Sequence, residues 1–230
     1  MKERPILFKT EMVRAILDGS KTQTRRLNGF DKINKNPNDY EFLGYIKGAN
    51  NYFAARFRSA GIENQVYVKS PYGDAGNQLW VKETWRTWHS LDHVKPSNLE
   101  NGVIVDYAAG GNSVGAGIVC DVSKKWRSPL FMQKRFSRIQ LEITGIRVER
   151  LDEISKADAI AEGAKFINFG KDKWGNQLDG WRADKIPERA EECLSSAKWA
   201  YVHLWESING KGSWATNPYV WVIEFKRLNA

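Results

Sequence analysis

Between residues 19 and 26 the chain reads Gly19-Ser20-Lys21-Thr22-Gln23-Thr24-Arg25-Arg26. Hydroxyls, an ammonium and two guanidiniums in so short a span suit an anion, and a glycine at the head is the residue type that ends a helix in a left-handed turn. From Thr22 onward the β-branched alternation predicts an extended segment in which Thr22, Thr24 and Arg26 share one face, because successive strand side chains alternate. Lys21 lies outside that register. It meets Thr24 only if the turn at Gly19 and Ser20 swings it back over the strand. The competing reading is a solvated basic turn between helix and strand.

A second basic stretch runs from Lys124 to Arg138. It holds Lys124, Lys125, Arg127, Lys134, Arg135 and Arg138, no acidic residue, and Trp126, Phe131 and Phe136 between the cations. Cations that follow phosphates, with rings on which bases stack, are what single-stranded nucleic acid requires. The alternative is a charged loop whose aromatics anchor it to a core. His89 and His93 have an HxxxH spacing with Asp92 between them, which on a helix would offer two imidazoles to a metal. Ser90 and Pro96 speak against a helix there, so neither a metal nor a cofactor is expected. Gly110, Gly111, Gly115 and Gly117 cluster without the GxxxxGK[ST] order of a phosphate loop.

Composition narrows the partners. The formal charge of +8 and pI near 9.4 favour an anionic partner, and the expected ones are a nucleoside, a nucleotide or single-stranded nucleic acid. The ten tryptophans mean a well-packed core, an aromatic-lined binding surface, or both. Cys120 and Cys193 form no CxxC pair, so neither a disulfide framework nor a zinc ribbon is indicated. The MKERPILFKT start lacks the apolar segment of a signal peptide, and no run reaches the ~20 apolar residues that span a bilayer. A cytoplasmic protein without membrane contact is expected. Nothing in the sequence sets its oligomeric state.

The elements that must position these residues follow from patterning. Pro5 to Lys9 predicts a strand leading into a helix from Thr10 to Asp18, with Thr10 as N-cap and Met12, Val13, Ile16 and Leu17 inward. Residues 28–64 carry turn residues between aromatics and predict a hairpin insertion. Gln65 to Ser70 and Leu79 to Trp85 alternate as two core strands, the second bearing Trp80, Glu83 and Trp85. Residues 86–136 are a loop-rich insertion, with one strand from Val103 to Ala108. Ser137 to Leu151 is the clearest strand, and its phase change at Gly145 predicts a bulge or a barrel corner. Ser155 and Asp158 have capping-box spacing, and Gly163 closes the helix they start. Residues 166–188 form a further loop-rich insertion. A helix from Glu188 to about Ile208 offers Leu194, Ala197, Trp199, Val202 and Trp205 for packing, and Tyr219 to Lys226 is a final strand. Five or more strands punctuated by short helices predict one elaborated α+β domain, a small β-barrel flanked by helices.

In this order the pieces ILDGSKTQTRR, QLWVKETW, ITGIRVERLDEISKADAIAEG, WAYVHLWESI and NPYVWVIEFKRL resemble the ASCH (activating signal cointegrator homology) family of the PUA-like superfamily, in its longer bacterial and prophage forms. The family's GxKxxxxR stretch, often with Glu as sixth residue, is matched by Gly19, Lys21 and Arg26, while Thr24 stands where that Glu would. A threonine there is similar to the small ASCH proteins that hydrolyse the acetyl amide of N4-acetylcytidine. Their catalytic Lys and Thr map by spacing onto Lys21 and Thr24, and their catalytic Glu, in the helix after the penultimate core strand, onto Glu162. The resemblance implies a PUA-like fold, an amidohydrolase with Thr24 as nucleophile, Lys21 as base and Glu162 as proton carrier, and Arg26 as orienting cation. Gly19, Arg25, Arg26, Trp80, Glu83 and Trp85 are then the candidate substrate contacts, with one tryptophan as a stacking platform. Glu162 in the last turn of its helix faces a macrodipole that disfavours carboxylate charge, which suits a proton acceptor. Other ASCH proteins imply two alternatives: cleavage of single-stranded RNA in a cationic cleft, or RNA or DNA binding without chemistry.

Overall fold

The structure, a computed structural model, describes residues 2–48, 52–59, 65–111, 122–185 and 187–228. Gly115, Gly117 and Cys120 lie outside the described residues. In chain order the strands and α-helices are β1 (Glu3–Leu7), α1 (Thr10–Leu17), β2 (Gln23–Arg26), β3 (Tyr40–Gly48), β4 (Tyr52–Ser59), β5 (Gln65–Lys69), β6 (Gln78–Lys82), β7 (Trp85–Arg86) and β8 (Asp106–Tyr107). There follow β9 (Gln140–Arg150), α2 (Lys156–Ala161), β10 (Lys165–Lys171), β11 (Gln177–Arg182), α3 (Ala197–Asn209) and β12 (Tyr219–Leu228). The chain is thus mixed α and β, mostly sheet with few helices. The strands form sheets ordered β1-β6-β9-β12-β2, β3-β4-β5, β10-β11 and β7-β8. The five-stranded sheet is open, with β1 and β2 at its ends, and no barrel is closed among the described residues. No described helix is long and apolar enough to cross a membrane.

The contacts group into two compact units, one made of Met1–Gly19, Gln78–Glu142 and Lys226–Ala230, the other of Ser20–Asn77 and Ile143–Phe225. In the first unit β1 runs parallel to β6, and β6 is antiparallel to the start of β9, with Leu79 opposite Leu141. The apolar face of α1 buries Met12, Val13, Ala15 and Ile16. Thr10 is the first helical residue and not the cap. Lys9 occupies the N-cap position and offers no side-chain bond there. The 86–136 segment supplies its own small core, in which Trp85 stacks on Phe136 at 5.3 Å between centroids beside Leu99, Val105, Tyr107 and Met132. Its expected strand shrinks to the two residues of β8.

In the second unit β2 pairs antiparallel with β12, Thr24 opposite Ile223 and Arg26 opposite Trp221. Tyr219 to Ile223 are buried without interruption, so β12 is covered on both faces, which its unbroken apolar run demands. Phe30 and Phe53 pack on Trp221 at 5.0 and 6.0 Å. The 28–64 segment does make a hairpin, β3 with β4. However, β5 pairs with β4 and so joins this three-stranded sheet rather than the larger one. β9 runs on through Gly145, and its burial changes phase there as expected, from Leu141 and Ile143 to Val148. A Cβ there would lie 2.7 Å from Glu224 Oε2, so glycine admits a close approach of that carboxylate.

Two further expectations are corrected. The stretch after α2 is an antiparallel ribbon, β10 with β11, in place of a loop. α3 begins at Ala197, since the Ser196 hydroxyl accepts from Trp199 N at 3.2 Å, and residues before it hold only a short 3-10 turn. Its packing phase also differs: Ala197, Ala200, Tyr201, Leu204 and Trp205 are buried, while Trp199 faces out. The capping box of α2 forms as its spacing predicts, with the Ser155 hydroxyl accepting from Asp158 N at 3.0 Å and Asp158 Oδ2 accepting from Ser155 N at 3.2 Å. Removing an N-cap hydroxyl costs about 0.5–2 kcal/mol. Ser155→Ala is accordingly expected to lower the thermal midpoint by a few degrees without changing the far-ultraviolet dichroism, as a melting curve would show.

Candidate functional site

The chain leaves α1 through Gly19, whose φ of +80° is the left-handed conformation that favours glycine. Lys21 follows and is turned inward with its side chain fully buried. Its ammonium donates to Glu162 Oε2 at 2.7 Å, to the Glu162 carbonyl at 2.7 Å and to the Gln23 carbonyl at 2.8 Å. Thr22 N donates to the Ala161 carbonyl at 2.9 Å. Glu162 is the C-cap residue of α2, and Gly163 beyond it has a φ of +105°. The short turn before β2 therefore satisfies the carbonyls that α2 leaves open at its end, and brings a cation to the negative pole of that helix.

β2 then divides its side chains by alternation. Arg25 is fully buried, with Nη1 3.3 Å from Glu162 Oε1 and Nη2 2.9 Å from Glu149 Oε2. Its guanidinium lies 5.9 Å from the ring centroid of Tyr201, a buried residue of α3. Two residues apart on the other face, Arg26 Nη1 donates to Thr24 Oγ1 at 2.7 Å. Thr24 itself has no exposure, while Arg26 is half-buried. Arg147 of β9 completes the ion cluster by donating to Glu149, to Glu224 and, at 2.9 Å, to Asp158.

The electrostatics follow from burial. Desolvation lowers the Lys21 pKa from its ordinary 10.5; the Glu162 carboxylate opposes this by charge and hydrogen bond, and Arg26 and Arg25 add to the lowering. Burial pushes the Tyr201 hydroxyl well above 10.0, with the negative charge of Glu162 acting in the same direction. At Asp158 burial opposes ionisation, but the hydrogen bonds from the Ser155 hydroxyl and backbone outweigh it and hold the carboxyl at about 2.

Of the residues singled out from the sequence, Lys21, Arg25 and Glu162 meet directly, and Thr24 is joined to Arg26. Tyr201, Glu149 and Arg147 were missed. Arg147 and Glu149, as charges two apart on a strand with buried neighbours, carried a legible signal; Tyr201 was hidden by the wrong helix phase. The remaining candidates belong to the first unit. Glu83 is 1% exposed and receives both Nε and Nη2 of Arg138 at 2.9 Å in a fork. Trp85 is enclosed in the core, and Lys82 Nζ stands 5.4 Å from the Trp80 ring centroid. In the basic segment Lys124 and Lys125 are exposed, and the Arg86 guanidinium covers Trp126 at 4.2 Å. Arg127 donates to the Leu91 and Val94 carbonyls at 2.6 and 2.9 Å, Lys134 pairs with Glu3, Arg135 donates to Asn101 Oδ1 at 2.9 Å, and Arg138 also reaches the Gly110 carbonyl at 2.6 Å. His89 sits in a 3-10 turn, its Nδ1 3.2 Å from Asp92 Oδ2.

Comparisons with protein-family models, with curated proteins and with solved structures gave no match.

Two consequences can be measured. Lys21→Met leaves a buried carboxylate without its nearest cation, and loss of one partner of a buried pair costs about 3–5 kcal/mol; the Lys21→Met, Glu162→Leu double variant should lose less than the two single changes summed, by chemical denaturation. For Asp158 the folded pKa of about 2 lies below the ordinary 3.8, so the stabilisation is present above 3.8 and is lost as pH falls through about 2. Acid unfolding of Asp158→Asn should therefore be flatter across that window than that of the parent protein.

Proposed function

We propose that this chain hydrolyses the amide of an acylated cytidine-type nucleoside, with Thr24, Lys21 and Glu162 as the reacting groups, as the resemblance to N4-acetylcytidine amidohydrolases implies. The observation that carries this reading is the buried 2.7 Å contact between Lys21 Nζ and Glu162 Oε2, which joins residues 141 apart in sequence. On the same reading the open five-stranded sheet holds the staves of a PUA-like barrel, and the substrate comes from a cytoplasmic nucleoside pool.

Amide hydrolysis needs a nucleophile, a base to take its proton and an acid to protonate the leaving amine. An ammonium does not accept a proton. Transfer of one Lys21 proton to Glu162 across their contact turns the pair into a neutral amine and a carboxylic acid, and the lowered pKa of Lys21 works in that direction. For the amine to take the Thr24 hydroxyl proton as Oγ1 attacks the acyl carbonyl carbon, the hydroxyl must turn from the Arg26 face of β2 toward Lys21. Arg26 already donates to Oγ1, where negative charge gathers before the bond forms. Collapse of the tetrahedral adduct breaks the carbon–nitrogen bond, and the exocyclic nitrogen leaves as the amine after receiving a proton from the pair. Water hydrolyses the threonyl ester and restores the hydroxyl. Because Thr24 is fully buried, substrate entry requires the side chains around it to part, and Arg26 would have to yield its bond to the hydroxyl.

The nucleic-acid alternatives draw less support from the segment 124–138, since Arg127, Lys134, Arg135 and Arg138 are engaged with acceptors of their own unit. Release of cytidine from N4-acetylcytidine, followed chromatographically, tests the proposal. Thr24→Ala and Glu162→Gln are each expected to slow it by about 10²–10⁴-fold, with Thr24→Ser retaining part of the rate. Absence of cytidine release by the parent protein, or an unchanged rate in Thr24→Ala, would overturn it.

A further inference from the structure

The β10–β11 ribbon presents rings to solvent that its own fold does not use. Phe166 is 52% exposed, Phe169 37% and Trp174 75%. Single exposed apolar residues are ordinary, but three exposed aromatic rings fall within nine residues of one two-stranded ribbon. Phe166 touches Trp181 edge-on at 5.4 Å and still keeps half its surface in water. Trp174 is presented by an ordered turn. Asp172 Oδ1 accepts from Trp174 N and from Asn176 N, each at 2.8 Å, Oδ2 accepts from Asn176 Nδ2 at 2.9 Å, and Gly175 takes a φ of +88°. The one carboxylate at the tip is thereby folded into the turn. Cations outnumber anions beside the rings: Lys173 Nζ stands 4.2 Å from the Trp174 ring centroid and Lys171 is exposed on the strand, against one exposed carboxylate, Asp179, opposite Asn168.

We propose that this ribbon is a contact surface for single-stranded nucleic acid, RNA or DNA, whose bases stack on Trp174, Phe169 and Phe166 while Lys171 and Lys173 meet its phosphates. Stacking platforms with adjacent cations are the combination that sequence-tolerant single-strand binding uses, because every base has a π face. A hairpin built to enter a membrane would gather its apolar groups at the tip. Here the tip sets Trp174 among the polar Asp172, Lys173 and Asn176, and Phe166 and Phe169 lie back along the strand with Asn168 and Gly170 near them. The basic balance of the whole chain, +8, favours a polyanion. The inference stands on this surface and is independent of the hydrolysis assigned to Lys21 and Thr24.

Fluorescence anisotropy of labelled oligo(U) and oligo(dT) of about 12 nucleotides, at low salt, tests it on the full chain. Both are expected to bind, and Trp174→Ala to weaken binding by about 5- to 150-fold. In Lys171→Glu, Lys173→Glu the slope of log affinity against log salt should shrink by about 1.4, a change that loss of a merely structural residue would not produce. Oligonucleotide should also quench tryptophan emission in the parent protein more than in Trp174→Phe, which keeps an aromatic ring and the fold. Affinity unchanged in both Trp174→Ala and Phe166→Ala, Phe169→Ala would overturn the proposal. So would binding to anionic phosphatidylglycerol vesicles with none to either oligonucleotide.

Discussion

The contact on which the rest of the site depends is the buried bond between Lys21 and Glu162. An ammonium with no water around it must place all three protons on acceptors, and here two carbonyls and one carboxylate take them. Those acceptors come from the residue pairs that must be neighbours for β2 to lie against the end of α2. Shifting β2 by one position in one direction would trade Arg25 for Thr24, unable to answer Glu162 and Glu149, and in either direction would draw the Gln23 carbonyl away from Lys21. The electrostatic requirement therefore sets the register of β2 more tightly than its four-residue pairing with β12 could alone.

The same arrangement explains why chemistry and architecture are hard to separate here. Capping α2 at its C-terminus and presenting a proton-exchanging pair demand the same lysine in the same place. What distinguishes the two roles is Thr24, whose hydroxyl has no part in capping and whose Arg26 bond lies on the opposite face of β2 from Arg25. Thr24 is thus the residue by which the proposed activity can be told from helix capping.

Features written in short local patterns were legible in the sequence. Ser155 and Asp158 cap a helix because three-residue spacing and hydrogen-bonding chemistry suffice, and Gly19 and Gly163 end helices because left-handed φ values favour glycine. Lys21, Arg25 and Glu162 were legible as candidates, but their convergence was not, since it depends on how a turn and a strand meet a helix 141 residues away. The ribbon after α2 escaped notice because KFINFGK and QLDGWR are polar and exposed and lack the alternation of a half-buried strand. Tyr201 is hidden because Trp199, Val202 and Trp205 suggest another packing phase, in which Trp199, 59% exposed, would face inward. Ser196 corrects that phase, since the cap fixes where the first turn begins. Tertiary contact decided each of these cases where local preference was indifferent.

The path of the chain through its two units has a consequence for biosynthesis. The first unit draws on residues 1–19, then 78–142, and last on 226–230. β1 emerges first, yet its parallel partner β6 follows only after some seventy intervening residues, about the length of a small domain, have been made. Arg227, whose Nη1 donates to the Leu17 carbonyl at the end of α1, follows 210 residues after it. Closing such long loops is slow and raises contact order. The contacts that hold the first unit together therefore form across long stretches of chain that must first fold or be passed over.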